Sequence, residues 1–133
     1  MSAAVIEPDL LEITLVGGLA GFSQGERYAL VEVSPTSPLF RLCSLDVPGL
    51  DFLVVPPAVF FPDYAPEVDD VSAARLELTD AEDALLLVVL TVGADIRSTT
   101  ANLMAPIVIN ARTRQAAQVV VEGTHLLRAP LHG

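Results

Sequence analysis

The sequence has no lysine and no tryptophan, and it holds one cysteine and two histidines in 133 residues. Without lysine there is no Schiff-base amine and no P-loop cation. A single cysteine, Cys43, cannot close an intramolecular disulfide, which excludes a disulfide-stapled secreted scaffold. His125 and His132 are spaced like no common metal-ligand pair, and Cys43 is remote from both, so no metal or cofactor is expected. The longest apolar run, Ala84–Leu90, falls far short of the ~20 residues that span a bilayer. The N-terminus has no cationic region and carries Glu7, Asp9 and Glu12, so it does not read as a secretory signal. Positive charge is scarce: seven basic residues, all arginine, face 17 acidic ones, for a net charge of -10. That sign is wrong for direct nucleic-acid binding and for an anionic membrane surface. A soluble cytoplasmic protein is expected.

What is present is apolar. The chain is 52% hydrophobic, too much for a disordered acidic segment. Its length suits one domain, residues 1–133, that buries roughly two-thirds of its unfolded surface. Leu11, Ile13 and Leu15 alternate with Glu12 and Thr14, the pattern of a half-buried strand. The glycine cluster at 17–21 then breaks it and lacks the context of a dinucleotide-binding loop. Further strands are predicted over 27–33, 39–45 and 51–55. Pro48-Gly49 marks a turn, and Pro56-Pro57 stops the fourth strand, with 58–61 continuing extended. Pro66 and the acids after it predict a short helix over 67–75. Thr79, with Glu82 at the capping-box position, predicts another helical turn. Ala84–Val92 reads as a strand buried on both faces. Residues 99–111 and 115–122 read as the last strands, joined by a hairpin at 112–114. Seven or eight strands with one or two short helices predict a small antiparallel β-barrel or sandwich, because closure hides strand edges.

No catalytic constellation stands out. Residues 63–83 concentrate the acid: Asp63, Glu67, Asp69, Asp70, Glu77, Asp80, Glu82 and Asp83 against Arg75 alone. Such a run is either a solvated face or a surface that steers a basic partner. Directly before it, Phe60, Phe61 and Tyr64 sit among four prolines. These aromatics either fold back on the core or form a rigid apolar patch rimmed by carboxylates, the usual anatomy of a protein-binding surface. Asn102 and Asn110 bracket an apolar strand. They are either turn and strand-end residues or amides that pair with a partner's backbone. Cys43 reads as a small buried hydrophobe. A hydrolase using paired carboxylates, Asp63 with Asp80 or Glu82, is the alternative from another class; it needs a polar cleft and one carboxyl of raised pKa.

Read together, these segments resemble the flagellar assembly factor FliW family. The matching strings are Gly18-Leu19-Ala20-Gly21-Phe22, Ser37-Pro38-Leu39-Phe40, Phe60-Phe61-Pro62-Asp63-Tyr64, Leu78 to Asp83, and Thr100-Ala101-Asn102-Leu103 with Ala105 to Asn110. Thr113-Arg114, Gln118-Val119-Val120 and Arg128 continue the match in the same order. Ala20 stands where the family usually has proline. The resemblance implies a small antiparallel β-barrel without enzymatic activity or cofactor. It implies a cytoplasmic protein that binds newly made flagellin as a chaperone and antagonises the translational regulator CsrA. The partner-facing residues expected on this basis are Phe61, Asp63, Tyr64, Glu67, Asp69, Asp70, Asp80, Glu82, Asp83 and Asn102, on a protein expected to be a monomer.

Overall fold

The computed structural model describes residues 11–16, 27–121 and 127–131. The glycine cluster at 17–21, Phe22, His125 and His132 lie outside the described residues. Strands β1 (Leu11–Leu15), β2 (Arg27–Glu32), β3 (Phe40–Ser44) and β4 (Asp51–Val55) form an antiparallel meander. Period-two alternation sets its register. Ile13, Leu15, Tyr28, Leu30, Leu42 and Val54 are buried, while Glu12, Thr14, Arg27, Arg41 and Asp51 stay in solvent. Between β3 and β4, Leu50 donates its backbone N–H to the Val47 carbonyl at 3.2 Å. Pro48 fixes the first central position of this turn, and Gly49 supplies the positive φ of +83° at the second.

Closure comes from the second half of the chain. Strand β5 (Ala84–Thr91) pairs with β4 only at Val54–Val89 and Val55–Val88. Its N-terminal half pairs with β7 (Ile107–Asn110), which pairs with β8 (Gln115–Gln118). Strand β8 lies parallel to β1 through Thr14–Gln115 and Leu15–Ala116. The ring β1-β2-β3-β4-β5-β7-β8 is therefore a closed seven-stranded barrel with one parallel seam. Strands β6 (Thr100–Ala101) and β9 (Ala129–Pro130) extend the far end of β5 as a small annex. The expected all-β barrel with a short helix is the fold adopted.

Alternation sorts the apolar residues into three clusters. Ile13, Leu15, Leu30, Leu42, Val54, Leu87, Ile107 and Ile109 fill the barrel together with Tyr28 and Ala116. Each large one contributes roughly 1.5–3 kcal/mol by leaving water. Their strand neighbours point outward. Val55, Val88 and Leu90 join Leu103 and Leu131 on one side of the wall. Val108, Ala117, Val119 and Val121 join Leu76 on another. Strand β5 is thus apolar on both faces, as expected, although Leu85 near its start is 44% exposed.

Four local expectations are corrected. Residues 57–59 form a 3₁₀ turn rather than extended chain, because Pro57 fixes a helical φ and its carbonyl accepts from Phe60 and Phe61. The stretch 99–111 is two strands, not one. Asn102 Oδ1 accepts the backbone N–H groups of Met104 and Ala105, both at 3.0 Å, and this side-chain turn ends the pairing. The last barrel strand stops at Gln118, short of the expected 122. The turn before β5 is capped by Asp80 rather than Thr79: Asp80 Oδ1 accepts from Glu82 N at 3.0 Å.

Candidate functional site

Residues 56–83 leave the barrel at the end of β4 and return at the start of β5. Apolar residues within them hold the segment on the outer wall. Phe60, Phe61 and Tyr64 pack against the Val55–Val88–Leu90 cluster. Val68 and Leu78 pack against the Val108–Val119 cluster further along. The Tyr64 hydroxyl donates to the Leu103 carbonyl at 2.6 Å. Burial pushes the Tyr64 pKa up to about 12, because the phenolate would lose its water. Phe61 and Tyr64 are half-buried, so part of each ring remains on the surface.

The middle of the segment is helix α1 (Asp70–Arg75), three residues shorter at its start than the 67–75 that Pro66 and the acids after it suggested, with Val68 packed down instead. Asp69 is its N-cap. Its carboxylate accepts from Ser72 Oγ at 2.6 Å and Ser72 N at 3.1 Å, which holds its pKa below the usual carboxylate value. Asp70 then lies in the first turn and Arg75 in the last, both favourable to the helix dipole. At the C-terminus, Glu77 N donates to Ala74 O and Leu78 N to Ala73 O. This is a Schellman closure, and it forces Glu77 to a φ of +56°.

Asn110 ties that helix to the barrel. It is fully buried. Its Nδ2 donates to Leu76 O at 2.8 Å and to Glu77 O at 3.3 Å. Its Oδ1 accepts from Arg112 N at 2.9 Å and Thr113 N at 3.3 Å. The amide is spent inside the molecule, which settles the choice left open for Asn110 in favour of a structural role. Next to it, Arg112 Nε meets Asp83 Oδ2 at 2.9 Å.

The structure gathers the expected residues into two groups. Phe61, Tyr64 and Asn102 converge where the segment meets the loop after β6, since Tyr64 bonds to the carbonyl beside Asn102. Asp69, Asp70, Asp80, Glu82 and Asp83 surround α1 and the β7–β8 hairpin. Asp63 lies between Phe61 and Tyr64 on the chain, and Glu67 between Tyr64 and Asp69. Asp63, Glu67, Asp70 and Glu82 are exposed. Two grooves flank the segment. One, of about 440 Å³, runs beside Val68, Leu78 and Asp80. The other, of about 390 Å³, opens between Pro57, Tyr64 and the start of β5.

The profile of the family described as FliW protein matches residues 2–131. The chain belongs to the FliW family. The flagellar assembly factor FliW of Bacillus licheniformis is 36% identical over 122 residues, covering 91% of this chain and 85% of that one. The factor of Geobacillus kaustophilus is 40% identical over 108 residues, covering 81% and 74%. A crystal structure of the flagellar assembly factor FliW superposes with a TM-score of 0.86 at 32% identity, covering 98% of this chain and 91% of that one.

Against the FliW fold, the carboxylate-hydrolase alternative finds little footing. Asp63, Asp80 and Glu82 are exposed rather than gathered in a polar cleft. The carboxyl of Asp69, held by Ser72, has its pKa moved down, opposite to a general acid. Among the described residues, no group of His, Cys, Asp and Glu is placed to hold a metal, and no helix is long and apolar enough to cross a membrane. Two features went unread in the sequence. Arg112 neutralises Asp83, a pairing across 29 residues that no local pattern marks. The start of β5 pairs with β7 on one side, but among the described residues its other side has no strand partner where β4 turns away, and the Pro56-Pro57 doublet was its signal.

Proposed function

We propose that this chain is a cytoplasmic flagellar assembly factor that binds newly made flagellin as a chaperone and antagonises the translational regulator CsrA. In this reading flagellin level is coupled to flagellin translation through competition for one protein. The observation that carries it is FliW-family membership over nearly the whole chain. The surface supports it in kind. Asp63, Glu67, Asp70 and Glu82 project from a segment fixed to the barrel by Tyr64 at one end and Asn110 at the other. A basic, RNA-binding partner would be steered toward such a face, with an association rate that falls as salt rises. The partner-facing set is Phe61, Asp63, Tyr64, Glu67, Asp69, Asp70, Asp80, Glu82, Asp83 and Asn102. Asp69, Asp80 and Asp83 also hold the segment in shape through Ser72, Glu82 N and Arg112, which favours Asp63, Glu67, Asp70 and Glu82 as the acids that meet the partner.

Co-purification with flagellin tests the first half, using flagellin without its C-terminal helix as control. Equal recovery of both forms counts against the binding mode. A gel-shift competition with CsrA and a flagellin leader RNA tests the second. The shift should be relieved as the protein is added, and no relief at saturation removes CsrA as a partner.

A further inference from the structure

The pairing of β4 with β5 stops abruptly. The register that matches Val55 to Val88 and Val54 to Val89 would next bring Pro57 opposite Leu86. That is a hydrogen-bonding position, and Pro57 has no N–H to offer. It also sits in the 3₁₀ turn that carries the chain away. On β5, the odd-numbered residues bond toward β7 and β6: Asp83 O accepts from Ala111 N and Val89 O from Asn102 N. The backbone groups of Ala84 and Leu86 therefore face the β4 side. Among the described residues no backbone hydrogen bond reaches either one from that side. An open strand edge runs along the floor of the 390 Å³ groove, whose walls include Phe40, Pro56, Ala58 and Leu85.

We infer that this groove takes an extended apolar peptide of a partner protein as an added β-strand, with basic residues flanking it. Two independent features define that occupant. The unpaired N–H and C=O groups of Ala84 and Leu86 recur every second residue, about 7 Å apart, the repeat of an extended backbone. Main-chain bonds to such an edge supply affinity, and the apolar walls select alternate side chains. The flanks are acidic: exposed Asp63 precedes Tyr64, and exposed Glu82 lies just before Ala84, with both Tyr64 and Ala84 in the lining. Their carboxylates favour arginine or lysine at the peptide's ends. Left empty, the same edge would invite pairing with any strand, the hazard that proteins usually blunt. The groove shares Asp63 and Glu82 with the acidic face, but the inference rests on the open edge of β5 and does not depend on flagellin or CsrA.

The test uses the full chain and the acetylated, amidated peptide Arg-Val-Thr-Val-Thr-Val-Arg. Two analogues are N-methylated along one backbone edge or the other. Binding is read by calorimetry and amide hydrogen exchange. One analogue should bind like the parent and the other about tenfold or more weakly, the loss of one to two hydrogen bonds. The Ala84 and Leu86 amides should exchange about tenfold more slowly in the complex. Ala58→Trp, at an exposed position on the groove wall, should abolish binding while leaving the spectrum of the barrel intact. Equal affinity for both analogues, binding without protection of Ala84 and Leu86, or no binding at millimolar peptide would overturn the proposal. So would protection of the same amides without peptide, rising with protein concentration alongside a dimer in light scattering. That result would assign the edge to a second copy of the chain.

Discussion

Replacing Asn110 by alanine removes four hydrogen bonds at one buried point. The bond to Leu76 O, at 2.8 Å, is buried, so its loss strands a carbonyl away from water at a cost of about 1–3 kcal/mol. The other three are part-buried, and water replaces them in part. Asn110→Ala should therefore destabilise the protein by about 2–4 kcal/mol. A chain of this length has a total of roughly 7–20 kcal/mol. Urea unfolding followed by far-ultraviolet circular dichroism should show the midpoint falling by about 1–2 M. Asn110→Asp separates the two ends of the amide. It keeps the acceptors for Arg112 and Thr113 but sets a carboxylate against the carbonyls of Leu76 and Glu77. Burial and those carbonyls raise the pKa of this Asp in the folded state. The variant should then approach wild-type stability below about pH 4, where the protonated acid donates to Leu76 O. It should lose stability as pH rises through the raised folded value. A loss under about 1 kcal/mol for the alanine variant, or no added pH dependence for the aspartate one, would refute the role given to Asn110.

Four further outcomes follow from single features. Among the described residues, the Tyr28 hydroxyl is the buried side-chain polar atom without a hydrogen-bond partner, so Tyr28→Phe should equal or exceed wild-type stability by up to about 2 kcal/mol; a clear loss in the same urea assay would reveal a bound water. The Tyr64 phenol, with its pKa pushed up to about 12, should stay protonated well beyond pH 10 in an ultraviolet titration. The stability from burying it is whole below pH 10 and is lost as pH rises toward 12. Glu77→Gly should stabilise the protein by about 1 kcal/mol, since glycine relieves the left-handed backbone at the end of α1, and Glu77→Val should do the reverse in thermal unfolding. Asp69→Ala should fray α1, seen as faster amide exchange at Ser72 and Ala73; in wild type that protection is present above the normal carboxylate pKa and lost as pH falls through the lowered one.

Legibility in the sequence followed the range of each interaction. Strands β1 to β4 were readable because burial on one face imposes alternation, and β5 because burial on both faces leaves a continuous apolar run; both signals are local. The Pro48-Gly49 turn was readable because one glycine had to reach φ +83°. The parallel seam between β1 and β8 joins Thr14 to Gln115, and no local pattern encodes a pairing across that separation. Strands β6 and β9, two residues each, exist through their pairing and carry no period of their own. The split of 99–111 had a signal, Asn102 four residues before Pro106, and propensity alone concealed it. The site was legible as composition, an aromatic patch beside acids, but not as function. Which carboxylates hold structure depends on partners such as Ser72 and Arg112, and the second of these is distant in sequence. Cys43, expected in the core, is half-buried at the register position opposite Asp51, and burial raises its thiol pKa.

Helix α1 has six residues, too few to hold together in water by itself. Its position is therefore a property of its anchors. Leu76, fully buried, supplies the apolar one, and Asn110 the polar one. The Tyr64 bond to Leu103 and the Asp83 pair with Arg112 fix the chain on either side. Among the described residues, the side chains of Asp63, Glu67, Asp70 and Glu82 between these points make no ion pair or side-chain hydrogen bond. Exposed ion pairs add little to stability, so carboxylates left unpaired on this face cost little, while each keeps its full charge for attraction at a distance. A rigid base with unpaired acids also limits the ordering penalty when a partner docks, because the backbone under the charges is already set. The same four anchors thus serve the fold directly and the proposed docking surface indirectly. Loosening Asn110 should weaken both together, whereas removing one free carboxylate should touch only the second.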